Sequence, residues 1–105
     1  MTTDRLPGLD PVIHAQARLR VMATLAALDA DDRITFPRLQ ELLAMTGGNL
    51  STHLRKLEDA GYVVIEKGYA KRTPVTWVAL TTTGRDAFDR YTLTLQALLG
   101  RPAAG

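Results

Sequence analysis

The run Thr46-Gly47-Gly48-Asn49-Leu50-Ser51-Thr52-His53-Leu54-Arg55-Lys56-Leu57-Glu58-Asp59-Ala60-Gly61-Tyr62 constrains this chain most. Leu50, Leu54 and Leu57 recur at i, i+4 and i+7, which draws one apolar stripe along an α-helix. Thr46 offers a hydroxyl to an orphan amide of the first turn. Gly61 suits the left-handed position at which helices end. At 100° per residue, Thr52, Arg55 and Lys56 point away from the leucines, flanked by Asn49 and Ser51. That outer face carries the groups that reach phosphates and base edges when a helix lies in a DNA major groove. An ordinary surface helix has the same two-faced pattern, so the flanking segments have to decide.

Upstream, Asp10-Pro11 reads as a carboxylate cap followed by proline at the first helical position. A first helix is expected from Val12 to Leu28, with Leu19, Val21, Met22, Leu25, Ala26 and Leu28 on its apolar face. Asp29-Ala30-Asp31-Asp32 reads as a polar loop, and Ile34 as a very short strand. Thr35-Phe36-Pro37 begins a short second helix that buries Phe36, Leu39, Leu42 and Leu43 and ends near Met45. Two short helices joined tightly, the second polar outward, make a helix-turn-helix.

Downstream the period shortens. Tyr62–Lys67 and Val75–Thr81 are rich in β-branched and aromatic residues and read as paired strands. The basic stretch Gly68-Tyr69-Ala70-Lys71-Arg72-Thr73-Pro74 is the expected loop between them. Thr82 or Thr83 is the expected cap of a last helix running from about Gly84 to Leu99. Phe88, Tyr91, Leu95 and Leu98 follow there at spacings of three and four, a narrow coiled-coil-like seam. The expected architecture is mainly α with a small β-hairpin, a winged helix-turn-helix. Residues 1–9 would form an arm in which Leu6 and Leu9 pack on a neighbour or a second subunit. Residues 10–99 would form the domain, and 100–105 a disordered tail.

Among the 105 residues there is no cysteine, which removes disulfides, thiolate metal sites and a cysteine nucleophile. No second histidine stands at i+4 to His14 or His53, so helical zinc spacing is absent. Both are expected to be structural, His53 as a hydrogen-bonded boundary residue. Asp29, Asp31 and Asp32 lack the glycine and distal glutamate of a calcium loop. Gly47-Gly48 lacks the Lys-Ser/Thr of a phosphate-binding loop. Neither a catalytic constellation nor a cofactor is expected. No apolar run approaches a membrane span, and the N-terminus has no signal-peptide pattern, so the expected location is cytoplasmic. Net charge is only +2, but residues 33–80 hold seven Lys or Arg against four acids, while residues 1–32 hold three Arg against five Asp. Positive charge therefore gathers where the outward helix and the hairpin lie, as a phosphate-binding surface requires.

The pattern Asn49-Leu50-Ser51, His53-Leu54, Leu57-Glu58, Ala60-Gly61-Tyr62 resembles the recognition helix of compact MarR/ArsR-like winged-helix transcriptional regulators. Leu9–His14 and Arg18–Met22 resemble that group's opening helix, and Leu80-Thr81-Thr82-Thr83-Gly84-Arg85 resembles its entry into the last helix. The likeness spans roughly Leu9 to Leu99. It implies a homodimeric regulator of duplex DNA whose terminal helices form the dimer interface. The metal ligands of ArsR-type sensors include cysteine, which this chain lacks.

Asn49, Ser51, Thr52 and Arg55 are the candidates for base edges and nearby phosphates. Lys56, Lys67, Lys71 and Arg72 are the candidates for the DNA backbone, and Phe88, Tyr91, Leu95 and Leu98 for the dimer interface. Strand alternation puts Trp77 on the sheet face opposite the core, where it covers the sheet or lines an effector pocket or subunit contact. The alternative functions are a winged helix that docks another protein, since fold does not fix function, and a sensor of an unspecified small molecule with secondary DNA contacts.

Overall fold

The computed structural model describes residues 8–100; most of the expected arm and all but Gly100 of the expected tail lie outside them. The chain runs α1 (Gln16–Ala26), β1 (Ile34–Thr35), α2 (Phe36–Leu43), α3 (Gly47–Asp59), β2 (Val63–Ala70), β3 (Thr73–Leu80) and α4 (Thr82–Leu98). This is the expected winged helix-turn-helix, with β1 added to the hairpin as a third strand.

α3 forms as its residues dictate. The Thr46 hydroxyl accepts the Asn49 amide at 3.2 Å, and Leu50, Leu54 and Leu57 are all 1% exposed or less. Gly61, at φ 81°, turns the chain so that its own amide reaches the Glu58 carbonyl and the Tyr62 amide reaches that of Leu57, both at 2.9 Å. Two orphan carbonyls are thereby satisfied in a Schellman stop. α2 is capped as expected by Thr35, which accepts the Arg38 amide. Leu39 and Leu43 of α2 are buried, but Leu42 is 49% exposed. At 100° per residue it lies at the edge of the stripe away from Phe36.

The first helix starts four residues later than expected. Asp10 does open a turn, accepting the Val12 amide at 2.8 Å on Oδ1 and the His14 amide on its carbonyl. Ala15 is then extended, at φ −142° and ψ 130°, and α1 begins at Gln16 without a side-chain cap. Tertiary anchors override the local signal. Leu9 and Ile13 are both buried in the core, the Tyr62 hydroxyl donates to Asp10 Oδ2, and Arg18 Nε donates to the Val12 carbonyl at 2.6 Å. Leu9 therefore belongs to the core of its own chain, not to an arm.

The sheet order is β1-β3-β2, antiparallel throughout. β2 and β3 stay paired from Val63↔Leu80 out to Ala70↔Thr73, so the expected seven-residue loop shrinks to Lys71-Arg72. Both turn residues have positive φ, 52° and 70°, the type I′ geometry that matches hairpin twist. Pro74 is tolerated in β3 because the pair Tyr69↔Pro74 follows the hydrogen-bonded closing pair. Its missing N–H faces away from β2, where β1 does not reach.

α4 is capped by Thr81, not Thr82 or Thr83: its hydroxyl accepts the Gly84 amide at 2.9 Å while donating to the Gly61 carbonyl at 2.6 Å. Ala87 and Tyr91 press α4 onto the core, and the Tyr91 hydroxyl meets His14 Nδ1 at 2.8 Å. No described helix is long and apolar enough to cross a membrane.

Candidate nucleic-acid interface

With its leucines buried, α3 presents Asn49, Ser51, Thr52, Arg55 and Lys56 to solvent, all five exposed. Among the described residues the one ion pair is Arg38–Glu41, so neither Arg55 nor Lys56 is held by an acid within 4 Å. Their donors stay available. The Thr52 hydroxyl donates to the Gly48 carbonyl at 3.0 Å, which leaves it as an acceptor beside a methyl group. Glu58 and Asp59, both exposed, end the cationic surface directly after Arg55 and Lys56 at the C-terminal end of α3.

The alternation of β2 sets Lys67 on the sheet face that looks toward α3, opposite Thr76. An open groove of 520 Å³ runs between helix and hairpin, lined by Ser51, Arg55 and Glu58 on one side and Ile65, Lys67 and Thr76 on the other. Lys71 and Arg72 stand at the tip, roughly 13 Å further along the strand at about 3.3 Å per residue. Left-handed conformations at non-glycine residues cost of order 1–3 kcal/mol each. Two basic side chains are thus kept where Asn-Gly would sit with less strain.

Tyr69, expected within the irregular loop, lies instead on β2, on the same face as Lys67, and is 77% exposed. An aromatic ring beside basic residues is a signal for nucleic acid, hidden here by the weak strand propensities around it. Trp77 packs on the opposite sheet face across from Glu66 and Thr35. The Arg33 guanidinium lies 4.1 Å above its ring centroid, so the indole covers the sheet under a cation.

The seam on α4 divides. Tyr91 is 2% exposed and Phe88 and Leu95 pack against the core of the same chain, whereas Leu98 is 46% exposed. Leu93 and Leu99 are also exposed. Tyr91 has little surface left for a second chain. His53 is also not as expected: its Nδ1 is buried without a hydrogen-bond partner among the described residues. Burial first, then the charges of Arg18 and Lys56, hold its pKa below the ordinary histidine value. No group of three or more potential metal ligands comes together among the described residues.

A helix-turn-helix whose second helix is polar and cationic outward, followed by a basic hairpin, defines a winged-helix DNA-binding domain. Residues 17–99 match the family of that description, and the chain belongs to it. It is 35% identical over 80 residues to an uncharacterized protein of Methanocaldococcus jannaschii, an alignment covering 76% of this chain and 84% of that one. Among solved structures, a transcriptional regulator homologue from Pyrococcus horikoshii superposes with a TM-score of 0.77 at 31% identity, covering 85% of each chain. MepR of Staphylococcus aureus, solved as a DNA complex, shares the fold with a TM-score of 0.69 at 20% identity over 81% of this chain and 67% of its own.

Proposed function

We propose that the protein is a sequence-specific transcriptional regulator that binds duplex DNA as a homodimer. α3 enters the major groove, where Arg55, Asn49, Ser51 and Thr52 meet base edges and nearby phosphates. Lys56, Lys67, Lys71 and Arg72 neutralise phosphates, the last two along the backbone or in the minor groove. Backbone contacts set the register while one or two α3 side chains read sequence. The observation that carries this is the exposed outer face of α3, with Arg55 and Lys56 in no ion pair among the described residues.

The second subunit docks on α4 through Leu93, Leu98 and Leu99, extended by the outer edges of Phe88 and Leu95. Leu93, Leu98 and Leu99 are exposed, and Phe88 and Leu95 are only partly buried, an apolar surface on the last helix of the kind that marks protein interfaces. A two-fold dimer sets its recognition helices about 34–36 Å apart, one turn of DNA.

Gel-shift titrations of the purified protein against promoter fragments test the reading. Retention that weakens with salt, at a slope of about −0.9 per neutralised phosphate, is expected. No retained DNA at low salt would replace it with a protein-docking winged helix.

A further inference from the structure

α3 has two flanks, and only one faces the wing. Ser51 and Glu58 border the groove toward Lys67 and Thr76. His53 and Lys56 lie on the other flank, toward α1 and the turn that precedes it. There Lys56 and Arg18 line a second open groove with Pro11, Val12 and Asp59. Arg18 is half-buried and held in place by the bond from its Nε to the Val12 carbonyl. A guanidinium has five N–H donors, so its terminal nitrogens keep theirs. Neither cation has an acid within ion-pair distance among the described residues.

Gathering two cations beside a histidine raises the energy of the free protein. Asp59, which also lines the groove, pairs with neither of them among the described residues, and an anion in the groove relieves the repulsion. A helix in the major groove lies between two rows of phosphates, one on each strand. The wing serves one row. We propose that Arg18 and Lys56 together hold a phosphate of the other strand, and that His53 takes up a solvent proton when it binds. This rests on α3 entering the major groove as proposed above. His53 suits the second part by its surroundings: the charged groups that act on it are Arg18 from α1 and Lys56 from α3, and its Nδ1 has no partner among the described residues. Asp10, on the preceding turn, is engaged by Tyr62 and the Val12 amide. In the free protein burial and both cations disfavour the imidazolium; a phosphate beside them favours it. The bound state then holds more protons than the free one, so affinity rises as pH falls through the histidine range.

The test uses a DNA duplex of arbitrary sequence, because phosphate contacts carry no sequence information. Binding is measured against salt for the wild type, Arg18→Gln, Lys56→Gln and the double variant. The double variant is expected to lower the slope of log affinity against log salt by about 0.9, and each single variant by less, because the remaining cation still neutralises the shared phosphate. A double loss of about 1.8 would overturn the shared phosphate. An unchanged slope in the folded double variant would overturn the site. If Arg18→Gln fails to fold, Lys56→Glu at an exposed position decides alone: it sets an anion against the phosphate, and an unchanged slope would overturn the site. Repeating the titration at about pH 5.5 and about pH 7.5 tests the proton. The wild type and His14→Gln should bind more tightly at the lower pH, by about tenfold for each pKa unit gained on DNA. His53→Gln should lose that difference, and keeping it would overturn the role of His53. Complete failure of the wild type to bind the duplex at low salt is a separate outcome, which removes the DNA-binding function itself.

Discussion

Gly84 sits against the backbone of Tyr62. A Cβ at Gly84 would lie 2.8 Å from the Tyr62 carbonyl carbon and closer still to its oxygen, which also accepts the Thr81 amide at 3.0 Å. The first turn of α4 is thereby pressed onto the corner where α3 passes into β2. The obstacle is backbone, which cannot rotate aside as a side chain does. Gly84→Ala should destabilise the fold by about 3 kcal/mol or more, at the upper end of overpacking costs. Urea unfolding of the purified variant measures it, and a midpoint equal to the wild type would show that α4 shifts freely.

Tyr62 donates to Asp10, and burial followed by this bond pushes its pKa up to about 12. The folded-state value lies above the unfolded one, so the associated stability is complete below about pH 10. It is lost as pH rises toward 12. Tyr91 is raised as well by burial, so the wild type carries both contributions. Tyr62→Phe should cost about 1.5 kcal/mol at neutral pH and should flatten, without abolishing, the fall in stability between pH 10 and 12. Thermal melts at stepped alkaline pH check both parts.

At the wing, stability and binding should move in opposite directions. Replacing Lys71 by Asn and Arg72 by Gly supplies the residues that a type I′ turn favours. The double variant should be more stable by about 1 kcal/mol or more. It should nevertheless bind DNA more weakly, with the salt slope reduced by about one unit for each phosphate that is no longer neutralised. Melting curves and gel shifts on the same preparation give both numbers; unchanged DNA affinity would take the wing out of the interface.

Arg55 distinguishes sequence reading from charge. A guanidinium one turn past Ser51 on the outer face has the fork geometry for guanine O6 and N7, worth about 1–3 kcal/mol of discrimination. Arg55→Ala should lower affinity for the operator far more than for random DNA. Equal losses on both would make Arg55 a phosphate contact only.

The α4 interface is tested with exposed residues, because Leu95 also packs on its own core. Leu93→Asp with Leu98→Asp should leave the monomer folded and shift sedimentation from dimer to monomer at tens of micromolar. A wild type already monomeric at that concentration would end the dimer proposal.

The elements that form from neighbouring residues were legible in the sequence. The Thr46 cap, the Leu50–Leu54–Leu57 stripe and the Gly61 stop are interactions within about four residues, so they delimit α3 before anything packs on it. The exposure of Asn49, Ser51, Thr52, Arg55 and Lys56 follows, because burying one face of a helix directs the other to solvent. What only the tertiary structure decided depends on residues far apart in sequence. Asp10 lost its place at a helix N-terminus because Tyr62, 52 positions away, engages its carboxylate while Leu9 and Ile13 anchor the turn in the core. The hairpin ran on to Lys71 because pairing across the ladder outweighs the weak strand propensities of Gly68, Ala70 and Pro74. The seam on α4 was split because burying Tyr91 required α1 and His14 beside it, 77 positions earlier. Periodicity marks which face of an element is apolar; which partner covers it is set by packing between segments that the linear order does not bring together.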